Sequence, residues 1–173
     1  VESNRLLHWD YSNEAIYFIT IVTQNRKCIF GQIEDNKMIL NDNGKIIETE
    51  LMKSVEIRPY WIFHNWIVMP NHIHLLVEIV TPTTHDVETH CSASLPENAK
   101  KPEQPKLSRK PNSISSFVAI FKSVATKQIS TLTNNNDSIW QSNYHDHVVR
   151  NFESFDKIYH YIKNNPKNWN NDL

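Results

Sequence analysis

Two histidines separated by a single residue are the side chains of this chain with the clearest capacity for chemistry. His72 and His74 lie in the largely apolar run VMPNHIHLLVE at residues 68–78. Because successive side chains of a β-strand point to opposite faces, the two imidazoles would share one face of such a strand. Neutral imidazoles held side by side form half of a metal site. The spacing alone fits ordinary hydrogen-bonded histidines equally well, and His145 and His147 repeat it in a polar stretch.

A tyrosine and an asparagine near the end of the chain form a second candidate element. The apolar residues Phe155, Ile158 and Ile162 recur at helical spacing around the sequence YIKNNP, which starts at Tyr161. At about 100° per residue, Tyr161 lies beside this stripe, and Asn165 lies one turn further on the same face. The spacing therefore directs a phenol and an amide to one point. Alternatively, Tyr159 and Tyr161 are boundary residues of an amphipathic helix that Asn165-Pro166 simply ends.

Composition indicates one globular domain over residues 1–173. The chain is 39% hydrophobic, enough for a sizeable core, and no apolar stretch approaches the roughly 18 residues of a membrane span. Cys28 and Cys91 are far apart, which argues against a disulfide framework and favours the cytoplasm. Gly31 and Gly44 are the only glycines, which excludes glycine-rich phosphate loops. Any phosphate chemistry must therefore use side chains and a metal.

The distribution of charge is more informative than its total. The net charge of −1 and the pI near 6.8 do not indicate a nucleic-acid-binding protein, which is usually basic. Between residues 100 and 127, however, seven basic side chains accompany one acidic side chain. A solvated loop followed by a helix with a charged face is the commoner explanation of such a run. The run permits phosphate binding without demonstrating it.

Hydrophobic patterns predict the elements that position these residues. In chain order we predict a strand at 15–23, a helix at 44–54, strands at 61–69 and 72–80, a helix from 113, a strand at 138–149 and a helix at 154–165. The strands at 61–69 and 72–80 are joined too closely for a crossover, so they form an antiparallel hairpin. The helix from 113 is predicted to bury the stripe Ile114, Phe117, Val118, Phe121, Val124, Ala125 and Ile129. The order is the ferredoxin-like split β-α-β arrangement, an α+β fold with a central antiparallel sheet, helices on one face and an added C-terminal helix.

The segment at residues 81–112 differs in composition from its surroundings. It holds five of the eight prolines and no aromatic residue. Such a segment buries too little apolar area to offset its ordering entropy. We therefore expect a mobile insertion within the domain.

With these elements in place, the sequence resembles the REP-associated tyrosine transposases, a family within the single-tyrosine HUH transposases of the insertion-sequence-200 type. The resemblance extends over nearly the whole chain, and its most specific part is MPNHIH at 69–74 together with YIKNNP at 161–166. Further matching segments are RL at 5–6, WDY at 9–11, YFIT at 17–20, FKS at 121–123, IWQ at 139–141 and YHDHVVR at 144–150. The insertion is the main departure from the family pattern, and it falls where a loop tolerates it.

The resemblance implies endonuclease and strand-transfer chemistry on single-stranded or hairpin DNA. It assigns Tyr161 as the nucleophile, which forms a 5′-phosphotyrosine and releases a 3′-hydroxyl, and it makes His72, His74 and Asn165 the ligands of Mg²⁺ or Mn²⁺. We expect further DNA contacts from Lys122, Lys127, His145, His147 and Arg150. The proton of Tyr161 must also be removed, and the candidates are His145, His147, His160 and a water on the metal.

Two other functions fit parts of the same sequence. A domesticated protein of this fold would bind DNA hairpins without cutting them, and its signature would be loss of the tyrosine or a histidine, neither of which is lost here. A structural metal-binding domain without a DNA partner would leave the basic residues of 100–127 unexplained. A covalent DNA adduct on tyrosine would separate the three. Monomeric and dimeric states both stay open.

Overall fold

An antiparallel sheet with helices on both faces makes up the part of the chain that the computed structural model describes, residues 14–80, 112–135 and 137–171. In chain order the elements are β1 (Ala15–Val22), β2 (Gly31–Glu34), β3 (Lys37–Leu40), α1 (Asp42–Glu56), β4 (Trp61–Met69), β5 (His72–Ile79), α2 (Ile114–Thr133), β6 (His145–Val149) and α3 (Phe152–Asn164). Short 3-10 helices span Gln24–Arg26 and Asn165–Asn171. Among the helices in these ranges, none is long and apolar enough to cross a bilayer.

The main sheet has the strand order β4-β5-β1-β6, and each neighbouring pair is antiparallel. With α1 between β1 and β4, and α2 between β5 and β6, this order is the ferredoxin-like split arrangement. The predicted α+β fold is therefore confirmed. The histidine strand β5 is central in the sheet, and in its pairing with β1 Val22 lies opposite His72 and Thr20 lies opposite His74.

The two faces of this sheet bury different helices. The larger cluster joins alternate residues of β1 and β5 to α1 and α2, and its fully buried members include Tyr17, Ile19, Ile21, Ile47, Leu51, Ile73, Leu75 and Phe117. On the other face, Leu76 and Val149 pack against Ile162 of α3, and we call this side the α3 face. Strand alternation places His72 and His74 on the α3 face. The prediction that helices cover one face of the sheet is therefore correct for α1 and α2. Helix α3 covers the opposite face.

Strands β2 and β3 form a separate hairpin that the hydrophobic pattern did not predict. Each has four residues of alternating partial exposure, so neither shows a strong apolar run. Asp35 and Asn36 join them with φ of +48° and +60°, the left-handed geometry of a two-residue hairpin turn. The start of α1 packs closely behind this hairpin, because a Cβ on Gly44 would lie 2.1 Å from the carbonyl oxygen of Phe30.

Asparagine caps extend two helices beyond their predicted starts. The Asn41 side chain accepts a hydrogen bond from the Gly44 backbone, and α1 therefore starts at Asp42. The Asn151 side chain accepts from the Ser154 backbone in the same way, so α3 starts at Phe152 rather than at Ser154.

Two predictions around α2 and β6 were wrong. The strand predicted at 138–149 begins only at His145, and Trp140 makes an isolated bridge to Thr23. The carbonyls of residues 141–143 accept hydrogen bonds from Lys122 instead of pairing in the sheet. Val124, predicted in the buried stripe of α2, is 37% exposed because the centre of the packed face runs through Phe117, Phe121 and Ala125.

Some of the sequence predictions fall outside the described residues. The insertion expected at 81–112 does so except for its last residue, and the matching segments at 5–6 and 9–11 do so entirely. The single-domain assignment of residues 1–173 remains a prediction for these parts.

Candidate active site

The paired histidines lie side by side on the α3 face, where β5 begins. Their ring centroids are 4.4 Å apart, and His72 is 9% exposed and His74 5% exposed. Helix α3 brings Tyr161 to the same place, with its Oη 3.4 Å from Nε2 of His74. Phe18 of β1 contacts the rings of both His74 and Tyr161, at centroid distances of 5.1 and 6.1 Å. The structure thus brings together the two chemical elements that were predicted from separate segments.

A polar side chain orients each imidazole through its Nδ1 atom. Nδ1 of His72 lies 2.7 Å from Oδ1 of Asn71, and Nδ1 of His74 lies 2.8 Å from Oγ1 of Thr20. An amide oxygen only accepts, so His72 donates from Nδ1 and carries a lone pair on Nε2. If Thr20 likewise accepts, His74 presents the Nε2 lone pair to the Tyr161 hydroxyl. Contacts of this kind fix the tautomer of metal-binding histidines in proteins.

Burial keeps His74 uncharged. Its pKa is lowered to about 3, first by burial and then by repulsion from His72. At neutral pH the imidazole is therefore in the form that binds a metal or accepts a hydrogen bond.

Asn165 is fully buried at the end of α3, one turn after Tyr161. Its φ of −54° and ψ of −43° continue the helical geometry, which keeps it on the side of α3 that carries Tyr161. Neither Oδ1 nor Nδ2 of Asn165 has a hydrogen-bond partner among the described residues. Trp169, from the 3-10 helix that begins at Asn165, stacks on His72 with ring centroids 6.1 Å apart. Trp169, four residues after Asn165, therefore lies against His72.

A cavity of about 200 Å³ opens between the histidines and the tyrosine. Besides those three side chains, its polar lining comes from Thr20, Arg26, Asn71 and His145. In the sheet, His145 of β6 lies opposite Thr20 of β1, which in turn lies opposite His74 of β5. These three side chains form a row across the α3 face. Tyr161 is 39% exposed, so its ring is open to a substrate.

Lys122 lies away from this cavity and stabilises a loop. Its Nζ donates to the carbonyl oxygens of Gln141 and Asn143, at 2.8 and 3.1 Å. Partial burial lowers the pKa of Lys122 to about 8. The ammonium therefore holds the segment that leads into β6.

The other predicted DNA contacts are divided between the cavity and the surface. His145 lines the cavity, whereas Lys127 is exposed on the outer face of α2 beside Ser123 and Ser130. His147 and Arg150 are exposed at the sheet edge formed by β6.

The candidates for accepting the tyrosine proton are separated by the same geometry. His145 shares the cavity with Tyr161. His160 is on an exposed side of α3, with Nε2 3.5 Å from Oδ1 of Asp156, and His147 lies opposite Phe18 with its side chain exposed. Of the three histidines considered from the sequence, His145 is the one placed with the tyrosine.

Three residues of the site were not singled out from the sequence. Asn71 had a signal, because it directly precedes the first histidine of the pair. Thr20 ends the matching segment YFIT, but its place beside His74 depends on the register of β1 against β5, and Arg26 had no signal because it lies in the turn that follows β1.

The donor atoms present fit a divalent cation whose remaining coordination positions are open to an oxygen ligand. In the described ranges, no group of three or more His, Cys, Asp or Glu side chains could hold a metal. His72 and His74 line the cavity, whereas Asn165 is not among its lining residues, and a cation held by the histidines would use the Asn165 amide as the nearby buried group with unsatisfied polar atoms. Two imidazoles with an amide oxygen leave positions open for phosphate oxygens, which suits Mn²⁺ or Mg²⁺ better than a closed structural zinc site.

Comparison with known proteins finds similar solved structures and a relative in sequence. No family model matches the chain. The structure of a REP-associated tyrosine transposase bound to a REP hairpin has a TM-score of 0.57 and 19% identity, covering 96% of this chain and 73% of that chain, which shows a shared fold. A protein of Haemophilus influenzae (strain ATCC 51907 / DSM 11121 / KW20 / Rd), described as uncharacterized, is 34% identical over 172 residues, which cover 98% of this chain and 90% of that protein. By this near-complete match, the chain belongs to the same protein family as the Haemophilus influenzae protein.

Proposed function

We propose that this chain is a transposase-like enzyme that cuts and rejoins single-stranded DNA through Tyr161. The observation that carries the proposal is the 3.4 Å distance between Oη of Tyr161 and Nε2 of His74, across a sequence separation of 87 residues. The resemblance in sequence and the fold shared with a hairpin-bound tyrosine transposase support it. Phosphoryl transfer depends mainly on alignment and charge stabilisation, which a rigid sheet carrying polar side chains can provide.

In the proposed reaction, Oη of Tyr161 attacks the phosphorus of a DNA phosphodiester. A bond forms between Oη and phosphorus, the bond from phosphorus to the 3′-oxygen breaks, and the 3′-oxygen leaves as a hydroxyl after taking a proton. Because a free tyrosine has a pKa near 10, its proton must pass to a base during attack. His145 lines the same cavity, and in this proposal it accepts that proton directly or through water. A later 3′-hydroxyl reverses the step and reseals the strand.

The remaining side chains hold the reacting groups in place. A divalent cation bound by His72, His74 and Asn165 would supply positive charge to the phosphate oxygens. Thr20 and Asn71 orient the imidazoles through their Nδ1 atoms. Phe18 packs against Tyr161 and limits the positions that its ring can take.

The test is the formation of a covalent protein–DNA adduct. The full-length chain would be incubated with Mn²⁺ and a pool of hairpin-bearing single-stranded oligonucleotides that carry a 3′ label, then separated on denaturing gels. We expect an adduct with the wild type and with Tyr159→Phe, whose aromatic ring stacks on Phe155 away from the cavity. Tyr161→Phe should form none, yet it should bind the oligonucleotides about as well, because DNA affinity comes mainly from phosphate contacts.

Three results would contradict the proposal in different ways. An adduct in Tyr161→Phe, or an adduct peptide containing Tyr144 or Tyr159, would exclude Tyr161 as the nucleophile. Tight hairpin binding without any adduct in the wild type would favour a domesticated hairpin-binding protein. Absence of both binding and adduct would exclude both functions for this substrate class.

A further inference from the structure

We propose that Arg26 is a phosphate-binding residue of this site. The ligand class is a phosphate group, and its identification with the phosphate that Tyr161 attacks rests on the proposed function. Neither the histidine pair nor the tyrosine motif contains Arg26, which follows β1 by four residues. Three features of the structure support this role. They are the backbone conformation at Arg26, the contacts that fix this backbone, and the charge of the cavity that the Arg26 side chain lines.

The backbone at Arg26 adopts a conformation that non-glycine residues seldom take. Asn25 and Arg26 have φ of +55° and +52°, in the left-handed region. Asparagine is among the residues that tolerate this region, whereas arginine is not. Such conformations persist where the surrounding structure determines them, and they cluster at ligand-binding positions. The surrounding structure therefore determines where the Arg26 side chain lies.

A set of hydrogen bonds fixes this turn against the start of β5. The backbone N–H of Arg26 donates to the Thr23 carbonyl at 3.1 Å, and the backbone N–H of Thr23 donates to the Asn71 carbonyl at 2.9 Å. The buried Thr23 hydroxyl also bonds the carbonyls of Lys27 and Asn71, each at 2.9 Å. The turn is thus tied to the residue directly before His72.

Asn71 connects the turn to the histidine pair with a single side chain. Its Nδ2 donates to the carbonyl oxygen of Arg26 at 3.3 Å, while its Oδ1 accepts from Nδ1 of His72 at 2.7 Å. Asn71 is 6% exposed, so both bonds are shielded from water. The same amide therefore positions Arg26 and sets the tautomer of His72.

The cavity chemistry favours an anion at Arg26. Its exposed side chain lines the cavity with His145 and Tyr161, and none of the described lining residues is acidic. A guanidinium can donate two parallel hydrogen bonds to the two non-bridging oxygens of a phosphodiester. The neighbouring imidazoles and hydroxyls do not compete for it as a carboxylate would. A phosphate bound there would lie beside the Tyr161 hydroxyl.

The test compares Arg26→Asn with Lys27→Ala in the full-length chain. Asparagine accepts the left-handed backbone but lacks the guanidinium, so the fold should be retained. Lys27 is the adjacent cation, but it lines a different depression, beside Gln24 and Ile29. Binding would be measured for inorganic phosphate by ³¹P NMR and for oligothymidylate by fluorescence anisotropy, each with and without Mn²⁺. Mn²⁺ affinity would be measured separately by electron paramagnetic resonance.

We expect Arg26→Asn to weaken binding of both phosphate probes at least about tenfold, the effect of losing charge-assisted hydrogen bonds. Its Mn²⁺ affinity and melting temperature should match the wild type, and Lys27→Ala should match the wild type throughout. An effect on oligothymidylate alone would identify the ligand as the DNA backbone rather than free phosphate.

Opposite results would overturn the inference. It fails if Arg26→Asn binds both probes as tightly as the wild type, if Lys27→Ala loses as much affinity, or if the wild type binds neither probe. Equal rates of adduct formation by wild type and Arg26→Asn would reject Arg26 while leaving the proposed function intact. Loss of phosphate binding in Arg26→Asn, with no adduct on Tyr161 in the wild type, would support Arg26 and reject the nucleophile.

Discussion

At the scale of single residues, Asn165 is the most unusual part of the candidate site. A buried amide normally satisfies its hydrogen-bonding atoms, and leaving one unsatisfied costs about 1–3 kcal/mol. Asn165 is fully buried, and both of its side-chain polar atoms lack partners among the described residues. This is the behaviour expected of a ligand whose partner binds after folding.

Replacement of Asn165 by alanine should therefore separate metal binding from stability. We expect the unfolding free energy of the metal-free protein to change by about 1 kcal/mol or less, because loss of packing is offset by removal of unsatisfied polar atoms. Affinity for Mn²⁺ should fall about tenfold, and adduct formation should recover at raised Mn²⁺. Thermal unfolding in chelator and an electron paramagnetic resonance titration would measure the two quantities.

Asn164→Ala provides the matched control, since Asn164 is the adjacent asparagine and is only partly buried. It should leave Mn²⁺ affinity unchanged. A variant of Asn165 that is strongly destabilised but binds Mn²⁺ normally would show that the amide has a structural role only.

At the scale of elements, regular periodicity explains which predictions succeeded. Strand β5 and helix α3 have clear alternating or helical patterns, and both were predicted within two residues of their ends. The β2–β3 hairpin was missed because four-residue strands of partial exposure have little pattern to detect. The start of β6 was placed too early because Trp140 and Tyr144 pack into the core from a loop.

The same distinction applies to the site. Residue spacing singled out the histidine pair and the tyrosine–asparagine pair, and the family resemblance supplied their expected roles as ligands and nucleophile. Arg26 became recognisable only from contacts between the turn after β1 and β5, and so did the roles of Thr20 and Asn71 in orienting the imidazoles. Contacts between distant segments are not encoded in local periodicity.

The free energy of unfolding should depend on pH through Lys122, which joins α2 to the loop before β6. Its pKa is about 8 in the folded chain, against an ordinary value of 10.5. A base with a lowered folded pKa binds fewer protons when folded, so stability should rise as pH increases from about 8 to 10.5. Below that range Lys122 is charged in both states and contributes no slope.

The measurement is the difference in melting temperature between wild type and Lys122→Met across this pH range. The melting temperature of the wild type should rise relative to that of the variant as the pH rises. The partial exposure of Lys122 will reduce the size of this change. Lys127→Met, on an exposed position of the same helix, should show no such trend. If the difference in melting temperature between wild type and Lys122→Met stayed constant across the pH range, the Lys122 ammonium of the wild type would be fully solvated.

At the scale of the whole molecule, the larger hydrophobic cluster and the candidate site occupy opposite faces of one sheet. Ile73 is fully buried in the larger cluster under α1 and α2, while its neighbours His72 and His74 point to the α3 face. Hydrophobic burial contributes roughly 25 cal/mol per Å² of apolar area, so the larger cluster supplies more of the hydrophobic stabilisation than the smaller one.

Ile73→Val should therefore reduce stability and preserve activity, whereas His74→Ala should abolish activity and largely preserve stability, although the residues are adjacent. Ile73→Val should lower the unfolding free energy by about 0.5–1.5 kcal/mol and leave adduct formation at low temperature unchanged. His74→Ala should abolish the adduct with a stability change of about 1 kcal/mol or less. Thermal unfolding and the adduct assay on both variants would measure this, and retained metal-dependent nicking in His74→Ala would contradict the assignment.

The alternation along β5 also separates two kinds of genetic change. A substitution alters one face, but deletion of a single residue within the strand, such as Ile73, would turn every later side chain of the strand over. His74 would then enter the apolar core, and Leu75 would take its place on the α3 face. One deletion would therefore damage the core and the candidate site together. Length variation among relatives should therefore occur in the connections between strands, while β1 and β5 keep a constant number of residues.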